Sequence, residues 1–192
     1  GYEIPGLNFT ILSEIPPNAG LGTPNALKVA TALALSKLFP NKLSDNDLIK
    51  MIEKANVEYL NTHPHTSDIL CVLNAKKGHC AKIETKRRTV CSYPLELEGY
   101  SVVLTDSCVP RSVVREELGA RIAECTKAYE TVINDSESPK NASRITESLL
   151  KELDISEVVR RRVSHIIREA SSIEDAVDAI RKNDKVALAR IF

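Results

Sequence analysis

A glycine-rich turn stands near the start of the chain, between an apolar segment and an alanine-rich segment. It reads Ile-Pro-Pro-Asn-Ala-Gly-Leu-Gly-Thr-Pro-Asn over residues 15–25. Gly20 and Gly22 let main chain approach a phosphate with no Cβ in the way, and Thr23 offers a hydroxyl beside it. At a helix N-terminus, such a turn presents unpaired N–H groups to an anion. An ordinary strand-to-helix turn with Pro24 at the first helical position fits the same residues, so both interpretations stay open.

Two charged residues farther along the chain are candidates for contact with a substrate. Asp68 heads a short apolar element at residues 69–73. A carboxylate within about 3 Å of a hydroxyl can accept its proton or orient it, although a helix N-cap is the alternative role for this residue. Arg111 follows an apolar run that ends at Asp106, and it can pair with an anionic ligand or with that aspartate.

Histidines and cysteines offer a weaker case for a metal site. They are His63, His65, Cys71, His79 and Cys80. Zinc takes four nitrogen or sulfur ligands at short characteristic spacings, which these residues do not reproduce, and neighbours such as His79 and Cys80 point to opposite faces of a strand. The five cysteines of the chain include no Cys-x-x-Cys pair, so we expect neither a disulfide framework nor a zinc site, but reduced and mostly buried thiols.

Composition and charge limit the classes of partner. The 192 residues are 43% hydrophobic and 27% charged, which allows a sizeable core. Lys plus Arg and Asp plus Glu both number 26, so the formal net charge is zero, and we expect neither nucleic acid nor membrane as a partner. The basic clusters at residues 86–88 and 160–162 are interpreted as solvated faces. No apolar run approaches a membrane span and no cleavable signal begins the chain, which indicates the cytoplasm.

The predicted elements change in character along the chain. We expect strands at residues 7–12, 79–84, 89–94 and 100–106, and helices at 26–39, 44–60, 113–133, 143–153, 156–170 and 172–182. The first helix carries Ala, Leu and Val around most of its circumference and is predicted to be buried. The shift towards helix near Ser107 suggests a junction between two units. A lone strand in the second unit cannot satisfy its own backbone, so partner strands from outside this chain, or self-association, are expected.

Taken together, these segments resemble the galactokinase branch of the galactokinase, homoserine kinase, mevalonate kinase and phosphomevalonate kinase family. The turn at residues 15–21 resembles the family's Pro-x-Gly-Ala-Gly-Leu-Ser-Ser-Ser phosphate loop. Residues 54–59 followed by Ser67-Asp68 resemble the segment that ends in Gly-Ile-Met-Asp-Gln. The segments at residues 75–83, 102–111 and 121–125 keep the family's order and spacing, so the resemblance covers nearly the whole chain.

The resemblance implies an α+β, two-domain small-molecule kinase fold, incomplete at both ends. Residues 1–98 would belong to a ribosomal-protein-like N-terminal domain that binds ATP and sugar, and residues 99–192 would form the first part of a ferredoxin-like C-terminal domain. It also implies transfer of the ATP γ-phosphoryl group to the anomeric hydroxyl of galactose or a related sugar, with Mg²⁺. The implied ATP contacts are Ala19, Gly20, Leu21, Gly22, Thr23 and Asn25; Thr23 is the Mg²⁺ ligand, Asp68 is catalytic, and Asp68 and Arg111 bind the sugar.

Several positions depart from the family pattern. The consecutive serines of the loop are replaced by Gly-Thr-Pro-Asn at residues 22–25, which leaves one hydroxyl and removes one donor N–H. His65, Ile69 and Leu118 replace a glycine, a glutamine and a tyrosine that lie near the sugar in the family. The family's arginine-bearing N-terminal motif and Gly-rich C-terminal motif are not in this chain, so we expect no activity from the chain alone. A kinase relative without turnover, acting as a ligand sensor or interaction scaffold, is the alternative.

Overall fold

The computed structural model describes residues 4–16, 19–39, 43–109, 111–135 and 145–192, with side chains omitted at 111–116 and 134–135. The chain divides into two compact units, Gly1–Glu96 and Leu97–Phe192. The first unit mixes helices with a small sheet, as the α+β class predicts, whereas the described elements of the second are helices. The assignment of the two units to ribosomal-protein-like and ferredoxin-like kinase domains stays a prediction.

Three helices and a hairpin make up the first unit. They are α1 (Thr23–Leu38), α2 (Asp45–Glu58), α3 (Thr66–Asn74), and the strands β1 (His79–Glu84) and β2 (Thr89–Pro94). The strands are antiparallel, with His79 opposite Pro94 and Glu84 opposite Thr89. The core consists of Val29, Ala32, Leu48, Ile49, Ile52, Ile69 and Leu70, with Leu73, Ile83 and Val90 packed against it. The helix predicted at residues 44–60 and both strands of the hairpin are thereby confirmed.

Capping fixes where the second helix begins. The Ser44 hydroxyl accepts the Asp47 N–H at 3.2 Å, and Asp45 and Asp47 lie in the first turn, where negative charge favours the helix dipole. At the third helix, by contrast, the residue before the first turn is His65 in the left-handed region. Asp68 therefore lies inside the first turn of α3, and its alternative role as N-cap is wrong.

Two described segments that the sequence predicts as strands do not form strands in the structure. Residues 7–12 and 100–106 have no regular structure, and they expose Phe9 to 56% and Leu12 to 93%. β-branched residues favour an extended chain, but a strand forms only when a neighbouring strand takes up its N–H and C=O groups. The described residues supply no such neighbour for either segment.

The burial predicted for the first helix is also wrong. Within α1, Asn25, Val29 and Ala32 are buried, whereas Leu27, Leu33 and Leu38 are exposed. The helix contacts α2 and α3 along one side, and no other described element covers its remaining apolar surface.

Four helices form the described part of the second unit. They are α4 (Arg111–Asp135), α5 (Glu147–Glu152), α6 (Glu157–Arg181) and α7 (Lys185–Ile191). Side chains of Thr146, Ser156 and Asp184 cap the last three at their N-termini. The predicted break between helices at residues 170–172 is wrong, because serines alone do not stop a helix that lacks Gly or Pro. The core joins Ala128, Val132, Ile145, Leu150 and Val163.

Candidate functional site

The glycine-rich turn forms the N-terminus of α1. Gly20 and Gly22 have φ angles of 79° and 70°, in the left-handed region that glycine enters without steric cost. The Gly22 carbonyl accepts the N–H groups of Asn25 and Ala26 at 3.0 and 3.1 Å, which starts the helix. Among the described residues, nothing accepts the N–H groups of Leu21, Gly22 and Thr23. These three donors are therefore available to an anion at the positive end of the helix dipole.

The structure brings Asp68 next to this turn. Its Oδ2 accepts a hydrogen bond from Asn25 Nδ2 at 3.0 Å. A Cβ on Gly22 would lie 3.7 Å from the same oxygen, so the carboxylate also flanks the glycine backbone. Asp68 keeps 41% of its side chain exposed, and His65 Nδ1 lies 3.9 Å from Oδ2. A carboxylate is thus held beside open N–H donors and stays accessible to a ligand.

A buried pair of amides holds the Asn25 side chain in place. Asn25 and Asn56 are 4% and 0% exposed. Asn56 Nδ2 donates to Asn25 Oδ1 at 3.2 Å and to the Pro64 carbonyl at 2.9 Å. The pair connects α1, α2 and the segment before α3. Because each amide is engaged on both its oxygen and its nitrogen, the Asn25 side chain has one defined orientation.

Lys28 completes this polar network. Its Nζ donates to Asn25 Oδ1 at 3.2 Å and to Asn56 Oδ1. Burial lowers the pKa of Lys28 from its ordinary value, because removal from water penalises the ammonium form. The two amide oxygens compensate part of that penalty and anchor the cation one turn into α1.

Sequence reasoning missed the roles of Asn56 and Lys28. A signal for Asn56 was present: it continues the stripe Leu48, Ile49, Ile52 at helical spacing, where a further apolar residue is expected. An amide on a buried stripe needs partners, and this one finds them in the turn and before α3. Lys28 gave no comparable signal, since a lysine on a helix is usually solvated.

A second polar cluster braces the start of α3. The Thr66 hydroxyl donates to Glu53 Oε1 at 2.5 Å, and Glu53 Oε2 accepts from Arg88 Nη2 at 2.6 Å. Arg88 lies in the hairpin turn with a φ of 53°, and its Nη1 donates to Asn46 Oδ1 at 3.1 Å. The cluster ties α2, the hairpin and the first residue of α3 together, two residues before Asp68.

Comparison with known proteins bears on these residues directly. Residues 1–76 match the family model described as "GHMP kinases N terminal domain". The chain is 46% identical over its whole length to the "Putative galactokinase" of Treponema pallidum, and covers 48% of that protein. The chain is homologous to galactokinases along its entire length. It is 28% identical to the "Galactokinase" of Thermotoga maritima over all of its residues, and 29% identical to that of Thermosipho africanus over 96% of them.

The chain spans about half the length of the galactokinases it matches: 53% for the Thermotoga maritima protein and 51% for the Thermosipho africanus protein. The part matched by the kinase domain model ends just after α3 and so includes the turn, the amide pair and Asp68. The resemblance to galactokinases is thereby confirmed. The comparisons give no support to a relative without turnover.

Other predicted features lie in the second unit or differ from expectation. Arg111 begins α4 in the second unit, and its side chain lies outside the described residues. The Asp106 carboxylate, its alternative partner, accepts the Cys108 N–H at 2.9 Å. The expectation of mostly buried thiols is wrong: Cys71, Cys91 and Cys108 are exposed, and Cys80 and Cys125 are half-buried. These cysteines lack the apolar neighbours that would cover them among the described residues.

Side-chain geometry and helix length in the described residues bear on metal binding and on membrane insertion. Among them, no three His, Cys, Asp or Glu side chains converge as ligands for an ion. The rings of His63 and His65 lie 6.3 Å apart, edge to face. No described helix combines the length and the apolarity needed to cross a bilayer.

Proposed function

We propose that the whole protein is a sugar kinase that transfers the γ-phosphoryl group of ATP to the anomeric hydroxyl of galactose or a related sugar. The observation that carries this proposal is the hydrogen bond from Asn25 to Asp68, which holds a carboxylate beside the open donors of the glycine-rich turn. Phosphoryl transfer needs an anion cradle and a hydroxyl acceptor in close proximity. The homology to galactokinases supports galactose as the first sugar to test.

The turn fits a triphosphate. The N–H groups of Leu21, Gly22 and Thr23 are open, and the left-handed glycines leave no Cβ over them. Ala19 and Gly20 lead into these donors and complete the proposed ATP contacts. Asn25 has a different part: its N–H is bonded to Gly22 and its side chain to Asp68 and Asn56. We assign Asn25 to positioning Asp68 more than to direct phosphate contact.

The oxygen groups near the turn suit Mg²⁺. This ion prefers oxygen ligands and is usually held by one or two protein oxygens together with substrate phosphates. The Thr23 hydroxyl, at the first residue of α1, is the proposed ligand. Bound Mg²⁺ supplies positive charge that offsets the phosphates and the neighbouring Asp68 carboxylate.

Asp68 accepts the hydrogen bond of the anomeric hydroxyl and takes its proton as the bond to phosphorus forms. The sugar oxygen forms a bond to the γ-phosphorus, the bond to the β,γ-bridging oxygen breaks, and that oxygen leaves on ADP with the electron pair. The donors of the turn and the dipole of α1 stabilise charge on the transferred group. We propose Arg111 as a further contact to the sugar, and the cytoplasm as the compartment, since the reaction consumes ATP.

The test uses the product of the complete gene and its Asp68→Asn variant. Asn at this position still accepts the hydrogen bond from Asn25, but it cannot take a proton. We expect sugar phosphate from wild type with Mg²⁺·ATP and galactose, and a loss of kcat of about 10² to 10⁴ in the variant. Thermal shift against Mg²⁺·ATP and a panel of sugars should show that the variant still binds both substrates.

Asp45→Asn is the matched control, because Asp45 is an exposed acid in the first turn of a neighbouring helix. It should keep the wild-type kcat. Turnover by Asp68→Asn at the rate of the control would contradict the role of Asp68. Stabilisation of wild type by sugar without any sugar phosphate would contradict the kinase proposal itself.

A further inference from the structure

A cleft of about 390 Å³ opens in the second unit, between α5 and α6. Its basic and polar lining consists of Lys151, Arg160, Arg161, Ser164, His165 and Arg168. The volume lies in the range of small-molecule sites. None of its lining residues belongs to the proposed kinase site.

The lining of the cleft follows the helical repeat. Positions 157, 160, 161, 164, 165 and 168 recur at three- and four-residue spacing along one face of α6. This face is about 16 Å long at the rise of an α-helix. Residues 147, 150 and 151 face it from α5, where the buried Leu150 forms part of the wall.

Cations outnumber acids on this lining. The lining contains four cationic side chains and two carboxylates. The cations are those of Lys151, Arg160, Arg161 and Arg168, and the carboxylates are those of Glu147 and Glu157. Glu147 is engaged by Arg168 at 2.6 Å, whereas Glu157 is 85% exposed and lies 3.7 Å from Arg160 Nε. Within the described part of the chain, neither Lys151 nor Arg161 forms a close ion pair, although Lys151 is near enough to Glu147 to help lower the pKa of that carboxyl group, after Arg168. The cleft therefore carries an excess of positive charge that the protein does not neutralise.

Arg160 is anchored and still lacks one partner. Its Nη2 donates to the Leu153 carbonyl at 3.1 Å, which fixes the guanidinium at the wall of the cleft. Its Nη1 is buried and has no hydrogen-bond acceptor among the described residues. An unsatisfied buried donor is costly, and a ligand oxygen that reaches it would remove that cost.

Not every arginine of α6 lines the cleft, as Arg162 shows. Arg162 lies on another face, is 17% exposed, and is neutralised by Glu124 at 2.8 Å. The three consecutive arginines predicted as one solvated face thus divide: Arg162 is half-buried in an ion pair, and Arg160 and Arg161 line the cleft.

We propose that this cleft binds a small molecule that carries two or more phosphate groups. Guanidinium groups match phosphate oxygens in geometry and charge, and a row of cations along about two helical turns spans more than one phosphate. The Ser164 hydroxyl adds a neutral donor midway along the row. The cleft shares no residue with the turn or with Asp68, and its proposed ligand does not depend on the proposed kinase activity.

The test measures binding of inorganic phosphate, pyrophosphate and tripolyphosphate to the purified chain by titration calorimetry at about 0.15 M ionic strength, where the Debye length is about 8 Å. The probe variant is Lys151→Gln/Arg161→Gln, because both side chains are exposed and no described ion pair is lost. Arg181→Gln/Lys182→Gln is the matched control: it removes the same charge at the far end of α6, outside the cleft. We expect pyrophosphate to bind more tightly than phosphate, and the probe variant to weaken it about tenfold or more.

The control should change pyrophosphate affinity by less than about twofold, because exposed charges more than a Debye length away are screened. Equal weakening in both variants, or no binding of any of the three probes to wild type, would overturn the proposal. Displacement of pyrophosphate by a poly-glutamate peptide of equal affinity would instead assign the cleft to acidic protein segments. The weakening caused by Lys151→Gln/Arg161→Gln should be the same in an Asp68→Asn background, which separates this result from the kinase test.

Discussion

The two units bury different kinds of side chain. In the first unit, Asn25 and Asn56 are buried beside the apolar core. In the second, all described buried residues are apolar: Ala128, Val132, Ile145, Leu150, Val163, Val177 and Ala179. Charged side chains in the described part of the second unit are exposed, as in the pair of Arg168 with Glu147, or half-buried, as in the case of Arg162 with Glu124.

This difference in buried side chains indicates which unit needs polar side chains held in a fixed geometry. Burying an amide is unfavourable unless its hydrogen bonds are made, so a fold that needs only stability uses apolar residues. The buried amides of the first unit are paired with each other, with Lys28 and with the Pro64 carbonyl, and through Asn25 they hold Asp68. A fully satisfied polar network specifies one arrangement of its members, which the proposed roles of Asp68 as proton acceptor and of the turn as phosphate cradle require.

The largest effect on stability is expected when a buried amide of the first unit is replaced by leucine, or a buried leucine of the second unit by an amide. Asn and Leu have the same number of side-chain heavy atoms and the same branching, so Leu150→Asn and Asn56→Leu are reciprocal. Leu150→Asn loses apolar burial and buries an unpaired amide, for a loss of about 4 kcal/mol in the free energy of unfolding. Asn56→Leu leaves the Pro64 carbonyl and Lys28 without this partner, for a loss of roughly 3 kcal/mol.

Native-state hydrogen exchange measures each unit separately, on core amides of α3 for Asn56→Leu and of α6 for Leu150→Asn. Val163→Ala, a purely apolar deletion in the second unit, controls for packing alone. If Asn56→Leu leaves the stability of the first unit unchanged, the amide pair is not a structural requirement, and the contrast between the units fails.

An intermediate effect on stability is expected from removing one member of an ion pair, and two pairs of equal length show how that effect depends on burial. Glu53 with Arg88 and Glu147 with Arg168 both have a nitrogen–oxygen distance of 2.6 Å. The first pair is 15% and 32% exposed, the second 43% and 72%. Glu53→Gln should lower the stability of the first unit by about 1–2 kcal/mol, because it leaves a half-buried guanidinium unpaired. Glu147→Gln should cause no measurable change, because water screens the exposed pair.

The same exchange experiment compares both variants, with Arg88→Gln and Arg168→Gln as the partner deletions. Removing either member of the half-buried pair should have a similar effect. Equal losses for Glu53→Gln and Glu147→Gln would show that distance, not burial, determines the contribution of these pairs.

Local signals decided which elements the sequence could predict. The Ser44 cap and the apolar stripe that follows it identified α2. Two short segments of alternating apolar and polar residues on either side of a turn identified the hairpin. The segments at residues 7–12 and 100–106 have the same β-branched composition as true strands, but strand formation depends on a neighbour that local sequence does not specify. The continuity of α6 through Ser171 and Ser172 was missed because serine weakens a helix without ending it.

The candidate site shows the same division between local and distant information. The glycines of the turn and Asp68 carried chemical types that stand out in a sequence, and the structure places them together. Their connection runs through Asn56 and Lys28, which are distant in sequence from Asp68 and become neighbours only when α1, α2 and α3 pack. Such partners are determined by tertiary contacts, so spacing along the chain gives them no signature.

The smallest expected effect concerns acid sensitivity of the second unit. Hydrogen bonds from Arg121 and then Arg162 lower the pKa of Glu124 below its ordinary value of 4.5. A carboxyl group with a lowered pKa in the folded state contributes stability that is present above pH 4.5 and is lost as pH falls through the folded pKa. Wild type should therefore lose protection of α4 amides below pH 4.5, whereas Glu124→Gln should lack this part of the loss.

Glu130→Gln, at an exposed position on the same helix, should behave as wild type. The hydrogen bond from Asn56 to Asn25 joins two amides that do not titrate, so it should add no acid dependence to the first unit. An identical acid profile in Glu124→Gln and wild type would mean that the ion pair with Arg162, although half-buried on the arginine side, contributes nothing to the packing of α4 against α6.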